Sequence, residues 1–187
     1  MSPVVVLIGA PGSGKSTVGP LVAEQLGVDF TDTDQLIELR EQRSVPEIFI
    51  DSGEEHFREI EREVVASALD SAAGVLSLGG GAIMDARTRD RLANQPTVWL
   101  RVNGENAARR VGMNVPRPML LGNVRARLNA LLKEREELYS AVADAVVVTD
   151  DESVEDVVKA VVAAVSGDSA PIETEPVEGV QDQTEDK

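Results

Sequence analysis

The residues Gly9-Ala10-Pro11-Gly12-Ser13-Gly14-Lys15-Ser16-Thr17 match G-x-x-x-x-G-K-[ST] at every fixed position, and the apolar run Val4-Val5-Val6-Leu7-Ile8 comes directly before them. A strand before such a loop and a helix after it are the context in which the pattern has meaning. Glycines let the backbone curl round an anion with its N–H groups pointing inward, and the following helix turns its positive end toward the same phosphates. Gly12, Ser13, Gly14 and Thr17 are therefore expected to cradle a nucleotide, Lys15 to reach its terminal phosphates, and the Ser16 hydroxyl to be a ligand of Mg²⁺. The ligand is a nucleoside triphosphate, which names no reaction by itself, because switches and transferases share such loops.

Other residues suggest an acceptor. Asp32-Thr33-Asp34 follow Val28-Asp29-Phe30-Thr31, which reads as a second short strand. Open α/β sheets bind ligands at the carboxyl ends of their strands, so two acids there point to a site. Asp32 is the candidate to hold Mg²⁺ through water, since Mg²⁺ dehydrates reluctantly. Asp34 is also placed to cap a helix expected over 35–42, and that role accounts for it equally well. Gly79-Gly80-Gly81 end a third apolar run, Val75-Leu76-Ser77-Leu78. Three glycines in a row suit a place where another molecule lies against bare main chain, and also suit a flexible turn. Arg58 has Glu54 four residues before it, and an i,i+4 ion pair explains it by spacing alone. The single His56 has no partner for a metal or catalytic role and is expected at the surface. Between Gly112 and Asn123 stand two prolines, two glycines and Arg117, flanked by Pro116 and Pro118. A mobile lid and an ordinary surface loop both fit that composition.

The elements that must position these residues follow from hydrophobic period and punctuation. A helix over 16–26 carries Val18, Leu21, Val22 and Leu26 at helical spacing, with Pro20 in its first turns and Gly27 as its stop. Ser44 opens a short helix with Glu47 as a capping-box partner, and a longer helix runs from Gly53 to Leu69. Helices are also expected over 85–93, 105–111, 124–142 and 153–165, the last capped by Ser153, with strands at 97–102 and 145–149. Five strands alternating with helices predict an α/β fold of three layers, a five-stranded parallel sheet covered on both faces.

At 187 residues one nucleotide-binding domain is the expectation. The chain has no cysteine, which excludes disulfides and thiolate metal sites and agrees with a cytoplasmic location. The N-terminal apolar run is too short for a secretory signal or a membrane span. A net charge of −15 argues against nucleic-acid binding. Part of that charge is local: residues 168–187 contain seven acids, one lysine and two prolines, the composition of a disordered acidic tail. The domain is thus expected to span residues 1–167. Deleting everything after Gly167 should leave activity and melting temperature nearly unchanged, and a large drop in either would show that the tail belongs to the fold.

Taken together, Gly9 to Thr17, Asp32-Thr33-Asp34, Phe49 with Gly53-Glu54 and Phe57-Arg58, Gly79-Gly80-Gly81, Arg117-Pro118, and Arg135 before Leu138-Tyr139 resemble the shikimate kinase family. The resemblance covers all but the tail. It implies a P-loop kinase similar in fold to nucleoside monophosphate kinases, with a substrate-binding region between the second and third strands and a lid at about 112–124. It also implies transfer of the γ-phosphoryl group of ATP to the 3-hydroxyl of shikimate, on the route to aromatic amino acids, with one Mg²⁺ and with small-molecule partners only; a monomer is expected. The shikimate carboxylate then falls to Arg58 and Arg135, and the ring hydroxyls to Asp34 and the main chain at Gly79, Gly80 and Gly81. Lys15, Asp34 and Arg117 are the catalytic candidates, Arg117 and Arg110 also contact nucleotide, and Arg110 packs near adenine. Three positions depart from the pattern: Pro20, Met119, and the acidic Asp150-Asp151-Glu152 near the presumed adenine loop. A gluconate-type or nucleoside monophosphate kinase would share the loop and lid, and a non-catalytic nucleotide-binding module would need no acceptor site.

Overall fold

The computed structural model describes residues 2–112 and 124–167. Most of the expected lid, with Arg117 and Met119, and the whole expected tail lie outside the described residues. Five strands, β1 (Val5–Ile8), β2 (Phe30–Asp32), β3 (Val75–Ser77), β4 (Thr97–Arg101) and β5 (Ala145–Val148), form one sheet in the order β2-β3-β1-β4-β5. Every pairing is parallel. Helices α1 (Lys15–Leu26), α2 (Thr33–Glu41), α3 (Val45–Ser71), α4 (Ala86–Leu92), α5 (Gly104–Gly112), α6 (Val124–Val142) and α7 (Val154–Ser166) alternate with the strands, and a 3₁₀ turn spans Ala82–Met84.

The central strand β1 is buried along its whole length, as a continuous apolar run between two helical layers must be. On one face Val5 and Leu7 pack with Val18 and Val22 of α1 and Val157 and Val161 of α7. On the other, Val6 and Ile8 pack with Val65 and Leu69 of α3 and Tyr139 of α6. Two smaller clusters sit beside these: Ile37, Ile48, Phe57, Ile60 and Val64 join α2 to α3, and Val102, Ala107, Val111 and Leu128 join α5 to α6. Each gives the region flanking the sheet edge its own apolar anchor.

Local signals act as the sequence demands, with exceptions that have a backbone reason. Gly27 closes α1 in the left-handed region, its N–H reaching Ala23 O and Glu24 O. Ser44 and Glu47 form the expected capping box of α3. The two helices expected on either side of Gly53 run on as one element, broken where Gly53 takes φ 84° and ψ 170°. The cap of α2 is Asp32 and not Asp34: Asp32 is extended (φ −116°, ψ 126°), and its Oδ1 accepts from Asp34 N at 2.8 Å. The strand before it begins two residues later than the pattern suggests and ends one residue later, and Asp34 becomes a residue of the first helical turn.

Candidate active site

The sheet order puts the carboxyl ends of β2, β3 and β1 side by side. Asp32-Thr33-Asp34, the triple glycine and the phosphate loop therefore meet along one edge, although they are far apart in the chain.

The loop leaves β1 and turns into α1 at Gly14, whose left-handed φ of 97° precedes the first helical residue, Lys15. Gly12 is held by sterics as well as by φ 84°, since a Cβ there would stand 2.8 Å from Ala107 O of α5. Ser13 is fully buried, and its N–H donates to Ala10 O at 3.1 Å. Lys15 Nζ donates to Gly9 O at 2.6 Å and lies 3.3 Å from Ala10 O. Its ammonium thus sits over the loop's own carbonyls, the position from which phosphate oxygens would take it over. Ser16 and Thr17 are exposed in the first turn of α1. Arg110 reaches from α5 to Gly12 O (3.3 Å), Thr149 Oγ1 (3.0 Å), Thr149 O and Asp150 O (3.2 Å). It ties the phosphate loop to the segment after β5. In that segment the departure at Asp150 has a structural use: its Oδ1 accepts from Asn103 N at 2.8 Å and Asn106 Nδ2 at 3.1 Å.

Beside the loop lies a pocket open to solvent, lined by Pro11, Asp34, Val45, Phe49, Phe57, Arg58, Glu61, Gly80, Gly81, Leu131 and Arg135. Five of the six expected acceptor contacts, Asp34, Arg58, Gly80, Gly81 and Arg135, come together there. Gly79 is buried directly behind them. Lys15, Ser16, Thr17 and Arg110 belong instead to the phosphate-loop side, and Asp32 caps α2 at the end of β2.

Close packing explains the glycines. A Cβ on Gly79 would stand 2.6 Å from Asp34 Oδ1 and 2.8 Å from Glu61 Oε1, and one on Gly81 would overlap the Arg58 guanidinium. Arg58 does pair with Glu54, at 3.1 Å, as the i,i+4 spacing suggests. Its shorter contact is with Glu61, at 2.6 Å, a residue the sequence reading passed over. Glu61 is 4% exposed. A signal for it existed: Glu61 lies within the stripe Phe57, Ile60, Val64, Val65 on the buried face of α3, where a carboxylate needs a partner.

Burial raises the Glu61 carboxyl above its ordinary value against the pull of Arg58. A raised folded-state pKa stabilises at low pH, and that contribution is lost as pH rises through the folded value. The stability of wild type minus that of Glu61→Gln should therefore fall as pH climbs above about 4.3, the ordinary glutamate value. Melting curves of both proteins across the acid range test this, and a signed difference that rose with pH would contradict it.

Arg135 is 5% exposed; its Nη1 donates to Gly80 O at 2.8 Å, and its Nε is buried with no hydrogen-bond partner among the described residues. The Tyr139 hydroxyl donates to the same carbonyl at 2.7 Å, its ring stacked on Trp99 with centroids 5.5 Å apart. Burial pushes the Tyr139 phenol up to about 12, so it remains a donor at neutral pH. The pocket thus offers two guanidinium groups against a bare main-chain segment, Arg58 at Gly81 and Arg135 at Gly80, with the carboxylates of Asp34 and Glu61 close to Gly79. That arrangement suits a small carboxylic acid bearing hydroxyl groups.

The relatives of the chain agree. A family model described as shikimate kinase matches residues 11–166. The shikimate kinase of Thermobifida fusca (strain YX) is 53% identical over 154 residues, 82% of this chain and 90% of that protein. The structure of shikimate kinase from Acinetobacter baumannii in complex with shikimate has a TM-score of 0.85 at 32% identity, covering 91% of this chain and 96% of that one. A gluconokinase from Sinorhizobium meliloti 1021, with a TM-score of 0.52 at 18% identity, covering 87% of this chain and 91% of that one, shares the fold alone. A family match across most of the chain, joined to a relative more than half identical over nearly its whole length, places the chain in the shikimate kinase family.

Proposed function

We propose that this ATP-dependent kinase transfers the γ-phosphoryl group of ATP to the 3-hydroxyl of shikimate, giving shikimate 3-phosphate and ADP. The observation that carries the acceptor reading is the pocket in which Arg58 and Arg135 flank the triple glycine beside Asp34. The two guanidinium groups hold the carboxylate, by bidentate pairing where the Arg135 Nε has no acceptor among the described residues. Asp34 and the Gly80 main chain take the ring hydroxyls, which fixes the ring so that one hydroxyl faces the phosphate loop. Phosphoryl transfer is mostly positioning and charge stabilisation, so this orientation comes first and proton removal by Asp34 second. Lys15 offsets charge on the transferring group, and the resemblance assigns Arg117 to the same task.

Ser16 and Asp32 offer hard oxygen donors, the kind Mg²⁺ takes, and no cluster of three or more acidic, histidine or cysteine side chains that could enclose an ion occurs among the described residues. That donor set fits an ion held largely by phosphate and water, with Ser16 as direct ligand and Asp32 acting through water while its Oδ1 caps α2. Bound there, Mg²⁺ would supply charge neutralisation of the β- and γ-phosphates. The enzyme is proposed to be a monomer, and its use of ATP supports action in the cytoplasm. Among the described residues no helix is long and apolar enough to cross a membrane.

Phosphorus–proton coupling in the product of Mg-ATP and shikimate tests the regiochemistry: coupling to the proton on carbon 3 is expected, and coupling at another ring position would overturn the proposed orientation.

A further inference from the structure

We infer that Thr33 is a positioning residue for the acceptor, fixing the triple glycine against the strand end that carries Asp34. The inference rests on the acceptor reading above. Thr33 is the first residue of α2 and is fully buried, and its Oγ1 accepts from Gly79 N at 2.9 Å. This hydrogen bond joins the ends of two neighbouring strands, β2 and β3.

Each residue of Asp32-Thr33-Asp34 thus holds something different. Asp32 caps the helix, Thr33 holds Gly79 by its N–H, and Asp34 faces Gly79 so closely that a Cβ there would stand 2.6 Å from its Oδ1. One peptide further on, Arg135 and Tyr139 hold Gly80 by its carbonyl, at 2.8 and 2.7 Å. The glycine segment has no side chains with which to anchor itself. Main-chain bonds to the 3₁₀ turn, from Ala82 N to Gly79 O and from Met84 N to Gly81 O at 3.0 Å each, hold it from behind, and among the described residues the side-chain contacts of Thr33, Arg135 and Tyr139 tie it to the site, with Thr33 serving the end nearest Asp34. Without the hydroxyl, the Gly79 N–H is buried with no acceptor, and the segment must shift to find one. The loss falls on the acceptor and not on ATP, because the phosphate loop is held by its own contacts at Ser13, Lys15 and Arg110.

Steady-state kinetics of wild type, Thr33→Val and Thr33→Ser test the inference, with shikimate and ATP varied separately and melting temperature as the control for folding. Valine keeps the branched shape and removes the acceptor, whereas serine keeps the acceptor. Thr33→Val should raise the shikimate KM about tenfold, the scale of one buried donor left unpaired, while the ATP KM stays within about twofold and Thr33→Ser stays near wild type. A folded valine variant with an unchanged shikimate KM, equal rises in both KM values, or a serine variant no better than valine would each overturn it. Should the valine chain not fold, Thr33→Ala against Thr33→Ser carries the same comparison with the same outcomes. A wild type that shows no shikimate-dependent turnover removes the acceptor reading, and this inference with it; wild-type turnover with an insensitive valine variant removes this inference alone.

Discussion

Lys15→Ala is expected to lower kcat by at least about a thousandfold while leaving the fold intact. The Lys15 side chain is half-buried, and its ammonium is bonded to the loop carbonyls Gly9 O and Ala10 O, so its removal uncovers oxygens at the rim of the loop and opens no cavity in either main core. What is lost is the one cation that the loop itself supplies to the transferring phosphoryl group. Helix α1 starts at this residue, yet its cap at Gly14 is a backbone geometry that alanine at position 15 preserves. Turnover under saturating substrates, measured beside a thermal melt, checks the expectation. Wild-type turnover in the alanine variant would refute the phosphate-loop assignment.

Arg135→Ala is expected to raise the shikimate KM about a hundredfold, the effect of losing roughly 3 kcal/mol of charge-assisted, buried pairing, while the ATP KM changes by a few-fold at most. Arg135 is nearly enclosed, bonds Gly80 O through Nη1, and keeps its Nε without a hydrogen-bond partner among the described residues. Lysine should not rescue it, since a point charge cannot reproduce the planar fork. Arg58→Ala should act in the same direction with an added stability loss, because it takes from buried Glu61 the guanidinium paired with it at 2.6 Å. Separate titrations of each variant with shikimate and with nucleotide decide the matter. Equal weakening of both ligands would make these arginines part of a structural ion-pair network.

The phosphate loop was legible because its chemistry is local: nine consecutive residues contain the turn, the lysine and the hydroxyl. The alternation of strands and helices was legible for the same reason, each strand but β2 being a short, mostly apolar run between glycine, proline or acidic stops. What joins distant residues was harder to read. Glycine at 79, 80 and 81 announces a close approach but not what approaches, and the answer, Asp34 and Glu61 at Gly79, Pro11 at Gly80 and Arg58 at Gly81, follows only once the strand order is known. Glu61 stayed hidden inside a run of charges that looks like a solvated helix face, although its spacing from Phe57 and Val65 places it on the buried one. The cap of α2 was misplaced because Asp32 and Asp34 flank the same threonine, and only backbone conformation tells which of them precedes the first turn. Thr33 carried no signal at all, since a threonine between two acids reads as a spacer until its hydroxyl is found on a glycine 46 residues away.

The measurement that bears most directly on the proposed reaction is ADP production from Mg-ATP in a coupled assay, with shikimate, gluconate or AMP as acceptor and with none. Turnover that depends on shikimate alone is the predicted result. Equal turnover with gluconate or AMP, or none with shikimate, would leave the phosphate loop standing and contradict the roles given to Asp34, Arg58 and Arg135.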